Sequence, residues 1–140
     1  MSNKLTLDIV TQEKRLLTVE TGRVTAETAA GEITILPGHV ALLSRLNEGL
    51  LRYDDDKGIE QVVAVFGGFL EFDGSSKLSV LADSAVRAED IDLARAIKAE
   101  EEAKAKLADR AHEADFAIAE AALRKTMLEL KAAKYGKRSN

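Results

Sequence analysis

Residues 78–96 read LSVLADSAVRAEDIDLARA, and the character of the chain changes within this stretch. Its first part has the apolar residues of a strand, whereas its second part collects the acidic and alanine residues typical of a helix start. Eight of the nine glycines and the single proline precede residue 83, and long runs of Ala, Glu, Lys, Leu and Arg follow it. The sequence therefore predicts an α+β protein in two modules, a β domain over residues 1–86 and a helical domain over residues 87–140.

The first module alternates apolar and polar residues with the period of a β-strand. Leu5, Leu7 and Ile9 share one face, and Thr6 and Asp8 share the other. Further strand candidates follow: Arg15–Glu20, Arg23–Glu27, Glu32–Leu36, Ala41–Leu46, Leu50–Tyr53, Gln61–Phe66, Phe69–Phe72 and Leu78–Ala82. Turn-forming residues separate them at 37–38, 47–49, 54–58 and 73–76, and the pair Gly67-Gly68 predicts a break, bulge or corner. Many short strands without intervening helices predict an antiparallel β-sandwich or flattened barrel.

The second module has the pattern of an antiparallel helical hairpin. The first helix is predicted from about Glu89 to Asp109, with Glu89, Asp90 and Asp92 in its first turn. The second is predicted from about Glu113 to Tyr135, with Gly136 as its stop and the link around Ala111-His112. One predicted apolar face of the second helix consists of Phe116, Ala119, Leu123, Met127 and Leu130.

The first helix has few large apolar side chains, which sets how strongly the hairpin can dock. Between Ala99 and Arg110 only Leu107 is bulky. Alanine and straight-chain residues favour a helix, but alanine buries little apolar surface. The hairpin is therefore either an arm that detaches and moves or an ordinary solvated hairpin.

Composition excludes several classes of function. There is no cysteine and there are two histidines, which rules out thiolate chemistry and a multi-histidine metal site within one chain. A net charge of -4 and 4% aromatic residues without tryptophan argue against nucleic-acid binding. The sequence has no phosphate-binding loop, no GxSxG or HExxH motif and no EF-hand. We expect no catalytic residue and no metal site. The start of the chain lacks a signal-peptide layout, and no apolar run is long enough to span a bilayer.

Four segments resemble those of ATP synthase epsilon subunits of the bacterial or chloroplast type, in the same order and at similar spacing. They are residues 31–43 (GEITILPGHVALL), 67–72 (GGFLEF), 78–87 (LSVLADSAVR) and 91–96 (IDLARA). The resemblance implies a non-catalytic rotor subunit of a proton-translocating F-type ATP synthase, with no cofactor requirement. It implies a peripheral place on the cytoplasmic face of the inner membrane, reached only through the complex.

The resemblance also implies which residues meet partner subunits. Gly31 and Glu32 would face the polar loops of the c ring, and Pro37, Gly38 and His39 would meet the gamma subunit or the ring. The hairpin would have a folded-down position and an extended position that enters the αβ hexamer and stops ATP hydrolysis. Its basic candidates for that contact are Lys98, Lys104, Lys106, Arg110, Arg124 and Lys125. From the residues alone, an ordinary hairpin turn with a solvated glutamate is the alternative.

A regulatory ATP site is implied in the folded-down hairpin. Ile91 and Ala96 would flank the base, Asp92 would accept from the adenine amino group, and Arg95 and Arg124 would approach phosphate. The residues alone equally allow a surface ion pair between Asp92 and Arg95, with Asp92 favouring the helix N-terminus.

Two other functions stay open on the sequence. One is a free-standing β-sandwich binding module whose helices form a dimerisation arm. The other is a small hydrolase that uses His39 with an acidic residue, for which no nucleophile motif exists.

Overall fold

The computed structural model describes residues 3–108 and 113–139, and within the second range it describes side chains over residues 116–136. The strands are β1 (Leu5–Val10), β2 (Arg15–Thr21), β3 (Val24–Thr28), β4 (Gly31–Ile35), β5 (Leu42–Asp54), β6 (Glu60–Phe72), β7 (Lys77–Ala82) and β8 (Ala85–Arg87). A 3-10 turn (Ala88–Asp90) leads to helices α1 (Leu93–Ala108) and α2 (Glu113–Ser139). The predicted link at Ala111-His112 lies outside the described residues.

The strands form one sheet that folds over into a sandwich. Its order is β2-β1-β7-β6-β5-β3-β4, with β8 added beside β6. The end of β6, residues 68–72, pairs with β7, whereas residues 63–65 near its start pair with β8. The two long strands β5 and β6 therefore belong to both layers. The predicted sandwich is confirmed, but the sheet is open and not a closed barrel.

One strand pair departs from the predicted antiparallel arrangement. Strand β1 runs parallel to β7, with Leu7 opposite Leu78 and Ile9 opposite Val80. Parallel neighbouring strands need a long connection. Here the connection between β1 and β7 contains strands β2 to β6.

The predicted turn at residues 47–49 is wrong, because β5 runs through it without interruption. The register between β5 and β6 is the same on both sides, with Leu46 opposite Gly68 and Glu48 opposite Phe66. The Asn47 amide reaches sideways and donates to the Thr28 carbonyl, 3.1 Å away. The predicted corner at Gly67-Gly68 is present within β6, with φ angles of 86° and 128°. The two strands bend together at this point, and the bend turns one layer into the other.

The main core lies between the two layers. It consists of buried residues that alternate along the strands: Leu5, Leu7, Ile9, Val24, Ile35, Leu51, Val63, Leu70, Phe72, Leu78 and Val80 are among them. The predicted inward face of β1 is therefore confirmed.

The helices differ from their predicted bounds. Helix α1 begins at Leu93 and not at Glu89, because Glu89 and Asp90 belong to the preceding 3-10 turn. Asp92 caps the helix: its carboxylate accepts from the Arg95 N–H at 3.2 Å. Helix α2 continues through Gly136 to Ser139 instead of ending at Tyr135.

The predicted apolar face of α2 is partly wrong. Ala119 and Leu130 are buried, but Phe116 and Met127 are 37% and 51% exposed. Thr126 and Ala132 are buried in addition. The buried stripe is wider than one hairpin seam because α2 packs against α1 on one side and against β5 and β6 on another.

In the described ranges, 3–108 and 113–139, no helix is both long enough and apolar enough to cross a membrane.

Candidate functional site

The turn between β3 and β4 presents Gly31 and Glu32 at an edge of the sandwich. The Thr28 hydroxyl donates to the Gly31 carbonyl at 2.7 Å, and Gly31 has a φ of 112° that favours glycine. The Glu32 side chain is 57% exposed, and its carboxylate lies 3.3 Å from the Arg52 guanidinium. Glu32 is therefore ion-paired within the chain and still accessible to a partner.

Pro37, Gly38 and His39 form a tight turn at the other end of β4. The His39 N–H donates to the Leu36 carbonyl at 3.0 Å, and Gly38 has a φ of 88°, as a type II turn requires. Glu32 and Pro37 are separated by the length of this strand, about 16 Å. The predicted contact residues therefore lie at two separate places on the sandwich.

The His39 imidazole is held by apolar and backbone groups. Its Nδ1 lies 2.8 Å from the Val40 carbonyl oxygen, and its ring meets the Phe72 ring edge-on at 6.2 Å between centroids. Neither neighbour is a carboxylate that would orient a general base. The hydrolase alternative gains no support from this geometry.

An apolar patch lies beside this turn on the outer face of the sandwich, and no local sequence pattern predicts it. Phe69 and Leu81 are direct cross-strand neighbours, 50% and 58% exposed. Leu43 is 70% exposed on the adjacent strand β5, and Val40 just before that strand is 75% exposed. We call these four residues the outer patch. Large apolar groups gathered on an exposed face are typical of a protein–protein contact.

Sequence could have indicated the outer patch only after the strand faces were assigned. Leu43, Phe69 and Leu81 stand at outward positions of β5, β6 and β7. Leu70, next to Phe69, and Val80, next to Leu81, face the main core. In a sheet with a solvated face those positions are normally polar. The exception becomes visible only when the register is known.

The opposite layer is covered by the hairpin. Ala132 of α2 is fully buried against Leu50, Val62 and Ala64 of the sheet. Leu128 and Tyr135 flank it, and the Lys125 ammonium lies 5.7 Å from the centre of the Phe66 ring. The hairpin therefore occupies a folded-down position, held by a small group of contacts from one helix.

The predicted nucleotide residues have structural roles in this position. Ile91 packs with the residues beneath α2, and Ala96 is buried. The Asp92 carboxylate binds the Arg95 backbone N–H, so the alternative of a side-chain ion pair is not what this carboxylate forms here. Arg124 lies 3.2 Å from the Glu120 carboxylate, and both side chains are about half exposed. ATP binding by these residues therefore stays a prediction.

A cleft of about 450 Å³ opens between β2, β5 and the 3-10 turn. The Tyr53 side chain is buried in its wall, and burial raises the pKa of its hydroxyl. The charged groups of the cleft are largely paired: Arg87 with Glu89, and Asp55 with the N–H groups of Lys57 and Ile59. Among the described residues, no group of three or more acidic or histidine side chains could hold a metal ion.

The fold defines a class of protein, a β-sandwich followed by a helical hairpin that packs on its outer face. Residues 4–88 match the family described as "ATP synthase, Delta/Epsilon chain, beta-sandwich domain", and residues 89–134 match its "long alpha-helix domain". The chain belongs to the delta/epsilon chain family of ATP synthases, as an epsilon chain, and catalysis in that complex lies in other subunits.

Curated relatives agree along nearly the full length. An ATP synthase epsilon chain of Dehalococcoides mccartyi (strain CBDB1) is 44% identical over 132 residues, covering 93% of this chain and 92% of the relative. One of Symbiobacterium thermophilum is 40% identical over 130 residues, covering 92% of each.

Solved structures share the fold. A chain in the cryo-EM structure of the Euglena gracilis mitochondrial ATP synthase, OSCP/F1/c-ring, is 28% identical with a TM-score of 0.78, covering 95% of this chain and 82% of that one. A chain of the Tetrahymena thermophila mitochondrial ATP synthase, central stalk/c-ring, has a TM-score of 0.56 over 93% of this chain and 96% of that one. At 16% identity the second likeness shows the fold alone.

Proposed function

We propose that this chain is a non-catalytic rotor subunit in the central stalk of a proton-translocating F-type ATP synthase, where it joins the gamma subunit to the c ring. The observation that carries the proposal is the pair of unlike outer faces, one covered by the hairpin and one bearing the exposed outer patch. The Euglena neighbour in an F1/c-ring assembly supports the same place. The chain is held at the cytoplasmic face of the membrane only through the complex.

The outer patch is the proposed contact with gamma. Interface cores are enriched in aromatic and apolar groups, and Phe69 supplies such a group beside the Pro37-Gly38-His39 turn. The Arg45 guanidinium lies 5.9 Å from the centre of the Phe69 ring, which gives the patch a cationic rim.

The Gly31–Glu32 edge is the proposed contact with the c ring. Its carboxylate is exposed and suits a polar loop that carries a basic side chain. The length of β4 separates this edge from the turn that ends the strand, so gamma and the ring can be engaged at the same time.

Co-purification tests the gamma contact. Leu81→Ser places a hydroxyl in the outer patch at a residue that is 58% exposed, so its effect on folding should be small. We expect it to lower the recovery of gamma with the tagged chain by about tenfold, as for a central interface residue. Ile118→Ser on α2, 70% exposed, is the matched control and should leave recovery unchanged. Equal recovery with both variants would contradict this assignment.

The hairpin is the proposed brake on ATP hydrolysis by the complex. Its docking face is small, and α1 buries Ala96 and Ala103 but no large side chain. Such a helix keeps its secondary structure and is lightly held, which suits release and contact with the αβ hexamer. Removing Glu89–Asn140 should keep assembly with gamma and raise hydrolysis by the complex. An unchanged rate of hydrolysis would contradict the proposed brake but not the proposed coupling role.

ATP is the proposed ligand of the folded-down hairpin, through Ile91, Asp92, Arg95, Ala96 and Arg124. A ligand that binds this position alone shifts the population toward it. At 100 times its dissociation constant the shift is about 2.7 kcal/mol. Calorimetric titration of the isolated chain with MgATP tests the site, and the absence of heat at millimolar nucleotide would discard it.

A further inference from the structure

Arg52 contacts both the exposed edge of the sandwich and the hairpin. One guanidinium nitrogen lies 3.3 Å from the Glu32 carboxylate. The other donates to the Tyr135 hydroxyl oxygen at 2.7 Å, and the guanidinium carbon lies 5.4 Å from the centre of the Tyr135 ring. Tyr135 belongs to the last turns of α2, whereas Glu32 belongs to β4. We call these three residues the latch.

The latch stands at the rim of the docking face. Arg52 is an outward residue of β5, two positions after Leu50, which packs under the hairpin. Its side chain is 23% exposed and that of Glu32 is 57% exposed. Water and a partner therefore reach Glu32 more easily than they reach Arg52.

Both neighbours of Arg52 favour the charged form of its guanidinium. Desolvation acts to lower the pKa of its guanidinium, but the Tyr135 hydrogen bond and the nearby Glu32 and Glu60 carboxylates outweigh it, so this pKa is raised. A partly buried cation that loses its carboxylate is left undercompensated and moves toward water. Such a movement takes the guanidinium away from the Tyr135 hydroxyl.

We propose that Arg52 is a positioning residue that couples what binds at Glu32 to whether the hairpin is docked. A basic side chain of a partner that pairs with Glu32 withdraws this carboxylate from Arg52, weakens the Arg52–Tyr135 bond and favours release of the hairpin. By reciprocity, a docked hairpin lowers the affinity of Glu32 for that basic group. The partner that supplies the basic group rests on the proposed function; the coupling within the chain does not.

The chain offers a direct reporter of hairpin release because it contains no cysteine. Val62 faces outward beneath α2, and its neighbour Val63 faces the main core. In the full-length Val62→Cys protein, a thiol reagent reaches residue 62 only when the hairpin lifts. In Val63→Cys it reaches residue 63 only when the sandwich unfolds, which makes this variant the matched control.

Three substitutions test the latch through the labelling rate of Val62→Cys. Tyr135→Phe removes the hydroxyl and keeps the ring, and should raise the rate by about tenfold or more, as for a hydrogen bond to a charged group. Glu32→Gln should raise it about two- to fivefold, as for an exposed ion pair. Glu71→Gln, on the opposite layer, should leave it unchanged. None should change the labelling of Val63→Cys.

Arg52→Met separates coupling from independent contacts, because methionine keeps the aliphatic stem without the charge. In this background Tyr135→Phe and Glu32→Gln should have no further effect on labelling. Arg52→Lys should restore part of the protection and make it depend on salt. The proposal would be overturned if, in the Arg52→Met background, both substitutions raised the labelling rate by the same factors as in the presence of Arg52. An unchanged rate in Glu32→Gln would overturn it as well.

A competing cation completes the test. Tetralysine at millimolar concentration should accelerate labelling of Val62→Cys relative to sodium chloride of equal ionic strength, and Glu32→Gln should abolish that acceleration. Acceleration that persists in Glu32→Gln would overturn the competition at this edge. These measurements use the isolated chain, so a failed co-purification with gamma would contradict the proposed function and leave the latch standing.

Discussion

Gly68 shows how one missing side chain determines the bend of the sheet. Its φ is 128°, and a Cβ there would meet the Leu81 carbonyl oxygen and lie 2.8 Å from the Ala82 Cα. These are backbone atoms of the paired strand β7, so they cannot move aside without breaking the ladder. The bend in β6 therefore requires glycine for two reasons, conformation and space.

We expect Gly68→Ala to lower the free energy of unfolding by about 3 kcal/mol or more, because strain and clash add. Gly58→Ala is the control: its φ is 79° and nothing lies within 4 Å of the added carbon. That substitution should cost about 1 kcal/mol from conformation alone. Urea unfolding of both variants measures the difference, and equal losses would contradict the close approach at Gly68.

Asp73 links a turn to the stability of the fold in acid. Its carboxylate accepts from the N–H groups of Lys77, Ser75 and Ser76 at 2.8–3.0 Å, and these bonds lower its pKa below the ordinary 3.8. Asp55 is lowered in the same way, chiefly by the Ile59 N–H. A lowered pKa contributes stability that is present above the unfolded value and is lost as the pH falls through the folded value.

The stability of the protein should therefore fall as the pH drops below about 4, and Asp73→Asn should make this fall shallower. The asparagine oxygen can still accept hydrogen bonds but has no charge to titrate. Urea midpoints measured from pH 5 to pH 2 test this. Ser75→Ala keeps both the carboxylate and the backbone donor, so it should retain the full acid dependence. A slope unchanged by Asp73→Asn would exclude this group as the source.

At the scale of elements, α2 supplies the main contacts of the described hairpin residues with the sheet. It carries Leu128, Ala132 and Tyr135 to the sheet, while α1 packs chiefly on α2. A hairpin held in this way leaves or stays as one unit. The depth of Ala132, which is fully buried, makes it the most sensitive point of the docking face.

Ala132→Glu should undock the hairpin without unfolding the sandwich, because an unpaired buried carboxylate costs about 3 kcal/mol or more. Amide resonances of Leu50, Val62 and Ala64 should shift, and those of β1 and β7 should stay. Ala121→Glu is the control, since the same change falls at an exposed position of the same helix. Loss of the β1 and β7 resonances would mean that the hairpin is required for the sandwich to fold.

At the scale of the whole molecule, the sandwich and the hairpin have separate cores. The larger core lies between the layers, and the smaller one lies between α2 and the outer face of β5 and β6. Separate cores allow the position of one module to change while the other stays folded. The proposed division into a coupling module and a regulatory module has this physical basis.

Undocking and removal of the hairpin should have opposite effects on hydrolysis by the assembled complex. Ala132→Glu favours the released hairpin, so we expect it to lower the rate of ATP hydrolysis. Removal of residues 89–140 takes the proposed brake away and should raise that rate. Measurement of both against Ala121→Glu in one preparation tests the assignment, and two changes of the same sign would contradict it.

The sequence was a good guide wherever local periodicity follows burial. Alternation along β1 and β7 predicted both strands, since a buried layer demands a period of two. The turn composition of Asn47 and Gly49 misled because the Asn47 amide is satisfied by Thr28, a contact made across the sheet. The helix start at Glu89 was misplaced because acidic residues suit a 3-10 turn as well as a first helical turn.

The surfaces were harder to predict than the elements. Glu32 and Tyr135 are more than a hundred positions apart, and only the docked α2 brings both to Arg52. The outer patch likewise joins residues of three strands through their register. Contacts of this kind come from tertiary structure and leave no local pattern in the chain.

The parallel pairing of β1 with β7 has a consequence for biosynthesis. Strands β1 and β2 pair with each other across a short turn, yet β1 joins the rest of the sheet through β7, near the end of the module. Until Lys77, the first residue of β7, has left the ribosome, β1 has no parallel partner. The apolar side chains of β1 and β2 then stay uncovered. Pairings this distant in sequence are slow to form. We therefore expect the emerging polypeptide to close its sandwich late, once β7 has left the ribosome.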